Sequence, residues 1–116
     1  MKFSAASAWA WILQRLTGIL LIVFLGIHMW IGHFADPSVK ITFLGSSTRL
    51  KDLLYVVVDW GLLATALFHG LNGFRNVLHD WGLSQAAARA TALVVWVIGV
   101  VWLLYGLWAL TPFLVS

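Results

Sequence analysis

The chain has 116 residues, of which 62% are hydrophobic and only 9% charged, and its mean hydropathy is +0.96. Soluble domains carry about 25% charged residues, and so short a chain cannot hide this much apolar surface from water. The absence of cysteine excludes disulfides, thiolate-ligated iron–sulfur clusters and cysteine zinc sites. A net charge of +3, scattered along the chain, argues against a nucleic-acid-binding protein.

The first apolar segment covers residues 8–34. It is too long for the core of a signal peptide, has no small-residue cleavage pattern and contains Arg15, so we interpret it as a retained transmembrane helix. His28 lies within it, and Gly32 follows four residues later. A glycine one turn along from a histidine is expected to leave room for a flat macrocycle beside the imidazole.

The second apolar segment, residues 53–78, follows a polar connection and repeats this pattern with His69 and Gly73. Asp52 and Asp59 fall near its start, where acidic side chains favour the amino end of a helix, and we interpret both in that way.

The third apolar segment, residues 88–110, contains no histidine. Ser84 is expected to cap this helix, and Gly99 and Gly106, seven residues apart, are expected to serve helix packing. Each segment exceeds the ~20 residues needed to cross the hydrocarbon core, and short links make successive helices antiparallel. The sequence therefore predicts an all-α integral membrane protein, a single transmembrane domain over residues 1–116 with three helices running up, down and up.

Both histidines are expected at bilayer depth, where they either ligate haem iron or donate a hydrogen bond to a neighbouring helix. At the helical rise, His69 lies ~16 Å from the helix end at Asp80, and His28 lies ~9 Å from the opposite end of its own helix. This offset favours two metal centres at different levels. A single iron bridged by both imidazole rings is the alternative. Ligation by two histidines at each level would need two more from a partner chain.

The end of the second helix and the start of the first are expected at the same membrane face. This places Arg15, Arg75, His79, Asp80 and Trp81 near one another. An intramembrane cation such as Arg15 needs an interfacial position or an anionic partner, and Asp80, a haem propionate and a quinone head group are the candidates. Simple snorkelling, or an Arg15–Asp80 pair that only fixes helix packing, is the alternative.

The charges at the two membrane faces give a small preference for a cytoplasmic amino terminus. The face with the amino end carries Lys2, Arg75 and Arg89, and the connection between the first two helices carries Lys40, Arg49 and Lys51.

Two stretches resemble the small membrane-anchor subunits of succinate dehydrogenase and related succinate:quinone oxidoreductases. Residues 11–18 (WILQRLTG) are similar to the family's arginine-x-serine/threonine-glycine opening of the first helix, and residues 69–81 (HGLNGFRNVLHDW) are similar to its histidine-glycine-arginine-aspartate-aromatic pattern. The family has two kinds of anchor, the C type and the D type, and the second stretch looks more like the D type. The resemblance covers nearly the whole chain.

The resemblance implies a role for each matching residue. His69 matches the ligand of the haem b nearest the catalytic subunits, and His28 matches the ligand of a second, distal haem. Arg15, Asp80 and Trp81 match positions that line the quinone site, and Arg75 is expected near haem propionates. Trp81 replaces a tyrosine that often offers its hydroxyl to the quinone, and an indole N–H can donate a hydrogen bond but cannot accept one.

The resemblance also implies the setting. A flavoprotein and an iron–sulfur subunit are expected to dock on the cytoplasmic face of a bacterial or archaeal membrane, and a second three-helix anchor is expected to complete a six-helix unit. The expected cofactors are two haems b shared with that anchor and a quinone, with menaquinone favoured and ubiquinone as the alternative. This chain is expected to perform no succinate chemistry. The competing hypotheses are a haem-free structural anchor and an unrelated three-span transporter or assembly factor.

Overall fold

A computed structural model describes residues 5–38 and 42–115. Two residues used in the charge argument, Lys2 and Lys40, lie outside these ranges. Helix α1 covers Ala5–Met29, α2 covers Phe43–Arg49, α3 covers Leu53–Asp80 and α4 covers Gln85–Leu110. The described residues contain no strand, and the molecule measures 55 × 24 × 23 Å.

Three stretches are long and apolar enough to cross a membrane: Ser7–Phe34, Leu53–Asp80 and Gln85–Leu114. The prediction of an all-helical membrane protein with three spans is therefore confirmed. The predicted bounds differ at the helix ends, because α1 begins before residue 8, α3 continues past residue 78 and α4 begins before residue 88. Short polar or small residues at these ends extend a helix without adding to its hydropathy, so the apolar pattern misses them.

Helix α3 is the centre of the bundle. It packs against both α1 and α4, whereas α1 and α4 make few contacts with each other. The packed side of α3 holds the side chains of Tyr55, Val56, Val58, Thr65 and Asn72, all of them buried. Long apolar side chains on α1 and α4 point outward, as expected where lipid or a neighbouring protein replaces water.

The contacts between helices give an antiparallel register on both sides of α3. Along α1, Gly18 faces His69, and Gly32, fourteen residues later, faces Tyr55. Along α4, a Cβ on Gly99 would lie 3.1 Å from Leu71 Cδ1, and one on Gly106 would overlap the Leu63 side chain. Both glycines of α4 therefore serve packing, as predicted.

Local hydrogen bonds define the start of α4 and the far end of α1. Ser84 caps α4 by accepting the backbone N–H of Ala87, which confirms the predicted cap. At the far end of α1 the helix widens into a π turn over Trp30–Phe34, where the N–H of Ala35 donates to the carbonyl of Trp30 at 2.8 Å.

The connection between α1 and α3 contains the short helix α2, which the sequence did not predict. Thr42 caps it by accepting the backbone N–H of Gly45. Earlier in the connection, Ser38 donates both its hydroxyl and its backbone N–H to Asp36 Oδ1. These bonds, the hydroxyl bond first, hold the pKa of Asp36 below its usual value of 3.8.

Candidate functional site

The imidazole of His69 is seated against α1. A Cβ on Gly18 would lie 3.1 Å from Cε1 of His69, so glycine at this position makes the space in which the ring lies. Nδ1 of His69 lies 3.1 Å from the carbonyl oxygen of Gln14. The amide nitrogen of Gln14 and Oγ1 of Thr17 lie further from Nδ1, each at 3.4 Å. Because the carbonyl oxygen is the nearest of the three and only accepts, we assign the proton to Nδ1, which leaves Nε2 as the nitrogen that could bind a metal.

The side chain of Gln14 holds this arrangement together from α1. Its amide nitrogen donates to the backbone carbonyl of His69 at 3.1 Å, and its amide oxygen accepts from Nδ2 of Asn72 at 2.8 Å. Asn72 is only 8% exposed, so its amide depends on this protein partner. Sequence analysis missed Gln14, although one amide side chain within a long apolar run is a signal that could have found it.

Replacing Gln14 with leucine is expected to destabilise the protein by about 1–3 kcal/mol, because Asn72 then loses its partner inside an apolar interface. Thermal unfolding of the purified complex in detergent measures the effect. Gln85→Leu is the matched control, since Gln85 is exposed at the start of α4. An equal loss of stability in both variants would contradict this role of Gln14.

His28 makes a different and shorter contact. Its Nδ1 lies 2.6 Å from Oδ1 of Asp59 on α3, and the two side chains are 27% and 13% exposed. The ring of Tyr55 is stacked on His28 with centroids 5.8 Å apart, and His33 meets it edge-on at 6.4 Å. The interpretation of Asp59 as an acid that only stabilises the start of its helix is therefore wrong, because its carboxylate is hydrogen-bonded to His28.

The glycines that follow the two histidines do not leave room for a macrocycle, and that prediction is wrong. A Cβ on Gly73 would lie 3.1 Å from the amide nitrogen of Gln14, and one on Gly32 would lie 3.3 Å from Oη of Tyr55. Both glycines lie in the interface of α1 and α3, where they let the helices approach closely.

The two imidazoles are held at different levels of the bundle. His69 lies opposite Gln14 and Gly18, and His28 lies opposite Asp59, ten residues before His69 on α3. Ten residues correspond to about 15 Å along a helix axis. A metal–imidazole bond is about 2 Å long, so this spacing excludes one iron bridged by both rings.

Both histidines have the features expected of haem ligands. In each ring Nδ1 is held by an acceptor on the neighbouring helix, and a second interaction of this kind is usual for a metal-bound histidine. The structure gives Nε2 of neither ring a hydrogen-bond partner among residues 5–38 and 42–115. This donor set fits a histidine that would ligate the iron of haem b.

The polar residues that were predicted to lie near one another at one membrane face, Arg15, Arg75, His79, Asp80 and Trp81, come together only in part. Arg15 lies over the ring of Trp11, with its guanidinium carbon 3.4 Å from the ring centroid, and donates weakly to the Trp11 carbonyl. Its position next to Gln14 places it at the level of His69. Asp80 is eleven residues further along α3, about 16 Å away along the axis, and the described chain contains no Arg15–Asp80 pair.

Arg75 borders two cavities on this side. One, of about 460 Å³, lies in the hairpin between α3 and α4 and is also lined by His79 and Arg89. The other, of about 480 Å³, is largely apolar and lies among α1, α3 and α4 beside Asn72. Trp81 ends α3 and is 79% exposed.

These observations define a class of protein: an integral membrane subunit with three spanning helices and two histidines held at different depths. The family model of the succinate dehydrogenase/fumarate reductase transmembrane subunit matches residues 1–107. The chain belongs to this family and is a membrane-anchor or cytochrome b subunit of a succinate dehydrogenase complex. The resemblance drawn from residues 11–18 and 69–81 is thereby confirmed.

Individual relatives agree with the family. The chain is 31% identical to the succinate dehydrogenase 2 membrane subunit SdhC of Mycobacterium tuberculosis, over 83% of this chain and 68% of that protein. It is 27% identical to the hydrophobic membrane anchor subunit of Thermoplasma acidophilum, over 91% and 84% of the two chains. It is 28% identical to the succinate dehydrogenase cytochrome b558 subunit of Bacillus subtilis, over 83% of this chain and half of that one. The name SdhC marks one of these relatives as a C-type anchor, so the assignment of this chain to the D type stays a prediction.

Proposed function

We propose that this chain ligates haem b through Nε2 of His69 and of His28, and that it helps to form the quinone-reduction site. Electrons from succinate pass through the iron–sulfur subunit to quinone in this proposal. A bound haem b supplies a one-electron carrier beside that route. The chain itself performs no succinate chemistry; it orients the ligands and excludes water around them.

The proposal rests on one observation, which is that Nδ1 of each histidine already has a hydrogen-bond partner on the neighbouring helix. Gln14 and Asp59 each fix one ring from a neighbouring helix, which leaves Nε2 as the nitrogen that can bind a metal. The name of the Bacillus subtilis relative, a cytochrome b558 subunit, supports haem as the group. The separation of about 15 Å favours two haems.

The proposed complex contains a flavoprotein, an iron–sulfur subunit and a second three-helix anchor. A second ligand for each haem would come from the partner anchor, which would complete a six-helix unit. We place the amino terminus in the cytoplasm, where Arg75 and Arg89 follow the positive-inside rule.

For the quinone we propose a site at the end of the bundle where α3 finishes, with Asp80 and Trp81 as contacts at the membrane face and Arg15 as a contact about 16 Å deeper. Asp80 and Trp81 are exposed, so the iron–sulfur subunit can cover them when it binds at this end. Arg75, between the two cavities, is assigned to haem propionates. Menaquinone is the favoured quinone and ubiquinone the alternative.

A haem-free structural anchor is the second candidate. It is favoured by the same contacts, because Asp59 and Gln14 satisfy one nitrogen of each imidazole and join α1 to α3 without any cofactor.

Purification of the intact complex through a tag on this chain separates the two candidates. We expect flavin to co-purify, with a b-type band in the reduced-minus-oxidised spectrum and about two haems for each flavin. A complex that retains flavin and iron–sulfur clusters but lacks haem would establish the structural anchor instead.

A further inference from the structure

A carboxylate in a membrane-spanning helix needs an explanation, because a charged side chain at this depth is costly unless it is paired. Asp59 is the seventh residue of α3, about 9 Å along the helix axis from its first residue. Its side chain is only 13% exposed, and its Oδ1 lies 2.6 Å from Nδ1 of His28. The helix start already has its own acidic cap, because Asp52 accepts the backbone N–H of Leu54.

We propose that Asp59 is a positioning residue that orients His28 and lowers the reduction potential of the iron bound there. This inference rests on the proposed role of His28 as a haem ligand. The carboxylate accepts a hydrogen bond from the Nδ1–H of His28 and so directs Nε2 away from α3. A strong acceptor on Nδ1 also makes the imidazole more electron-donating, which favours ferric over ferrous iron.

The neighbours of the pair restrict the imidazole further. Tyr55 is 7% exposed and lies nearly parallel to the His28 ring, at an interplanar angle of 21°. Asp59 therefore fixes where the ring points, and Tyr55 fixes its plane. The surroundings of His69 differ, because its Nδ1 donates to the neutral carbonyl of Gln14. The two irons are thus expected to differ in potential, with the lower potential at His28.

The test is a redox titration of the haem absorbance in the purified complex carrying Asp59→Asn. Asparagine keeps the size of the side chain and an oxygen that accepts from Nδ1, but it lacks the charge. We expect the haem at His28 to be retained. At a fixed potential its ratio of ferric to ferrous iron is expected to fall about tenfold, which equals a rise of about 59 mV in the reduction potential of a one-electron couple. The haem at His69 is expected to keep its potential.

Asp52→Asn is the matched control, because it removes one carboxylate from the same helix while asparagine still serves as the cap. It is expected to leave both potentials unchanged. Asp59→Leu removes the acceptor altogether and is expected to weaken haem binding at His28 by about 10–100-fold, measured as haem content.

Three results would overturn the inference. If Asp59→Asn leaves both potentials unchanged while His28→Ala removes a haem, His28 is a ligand but Asp59 does not tune it. If Asp52→Asn shifts the potentials as much as Asp59→Asn does, the effect comes from the loss of a negative charge near the helix and not from the contact with Nδ1 of His28. If His28→Ala leaves the haem content unchanged, the proposed function of His28 itself fails, and the pair only joins two helices.

Discussion

Replacing His69 with alanine in the intact complex is expected to remove one haem and leave the other. The variant loses Nε2, the nitrogen that would bind the haem iron, and it also loses the hydrogen bond from Nδ1 to the carbonyl of Gln14. Haem content, measured as the pyridine complex for each flavin, is expected to fall by about half. The remaining haem is expected to keep the potential assigned to the His28 site.

Two further variants show whether the loss reflects ligation. In His69→Gly, free imidazole in the buffer can occupy the vacated space beside Gly18 and is expected to restore the haem. His33→Ala is the matched control, because His33 is exposed near the other end of α1 and is expected to leave the haem at His69 in place. Full haem content in His69→Ala would refute the assignment.

The second large effect is expected from Gly61→Ala. A Cβ on Gly61 would lie 2.7 Å from Cζ and 2.9 Å from two other ring carbons of Phe24. A rigid aromatic ring relieves this overlap less easily than a flexible chain end does, so we expect α1 and α3 to separate. Overpacking of this kind costs about 1–3 kcal/mol, and close van der Waals packing is a main source of helix association in membranes.

Gly61 lies between the two histidine levels, so the separation is expected to disturb both. Separation of α1 and α3 moves Gln14 away from His69 and His28 away from Asp59. We therefore expect a lower thermal unfolding temperature together with partial loss of haem. Gly26→Ala is the control, because its Cβ meets nothing within 4 Å. The double variant Gly61→Ala with Phe24→Leu is expected to recover stability; a double variant no better than Gly61→Ala alone would show that the clash with Phe24 is not the cause.

Hydropathy was sufficient to predict the three spanning helices, because lipid requires long runs of apolar residues with internally bonded backbones. The cap at Ser84 followed from local chemistry, and the packing role of Gly99 and Gly106 followed from their helical spacing. The choice of His28 and His69 as candidate haem ligands also came from the sequence, because polar side chains are rare at this depth, and their role as ligands stays a prediction.

The partners of these histidines did not follow from the sequence. His28 and Asp59 are 31 residues apart, and Gln14 and His69 are 55 apart. Whether such residues meet depends on how two helices rotate and slide against each other, which apolar periodicity does not determine. The same uncertainty led to the wrong interpretation of Gly32 and Gly73, since a glycine beside a histidine admits either a cofactor or a neighbouring helix.

The π turn at the end of α1 has a consequence for protein engineering. In a regular α-helix, positions five apart point about 140° away from each other, yet here His28 and His33 are neighbours. The wide turn shifts the angular phase of the chain by the equivalent of one inserted residue. Deleting Ile31 would restore ordinary winding and leave the two imidazoles four residues apart, about 40° from each other around the helix, so they would stay neighbours. A histidine pair grafted onto a regular helix would therefore need a spacing of four residues, because the spacing of five works only with this local widening.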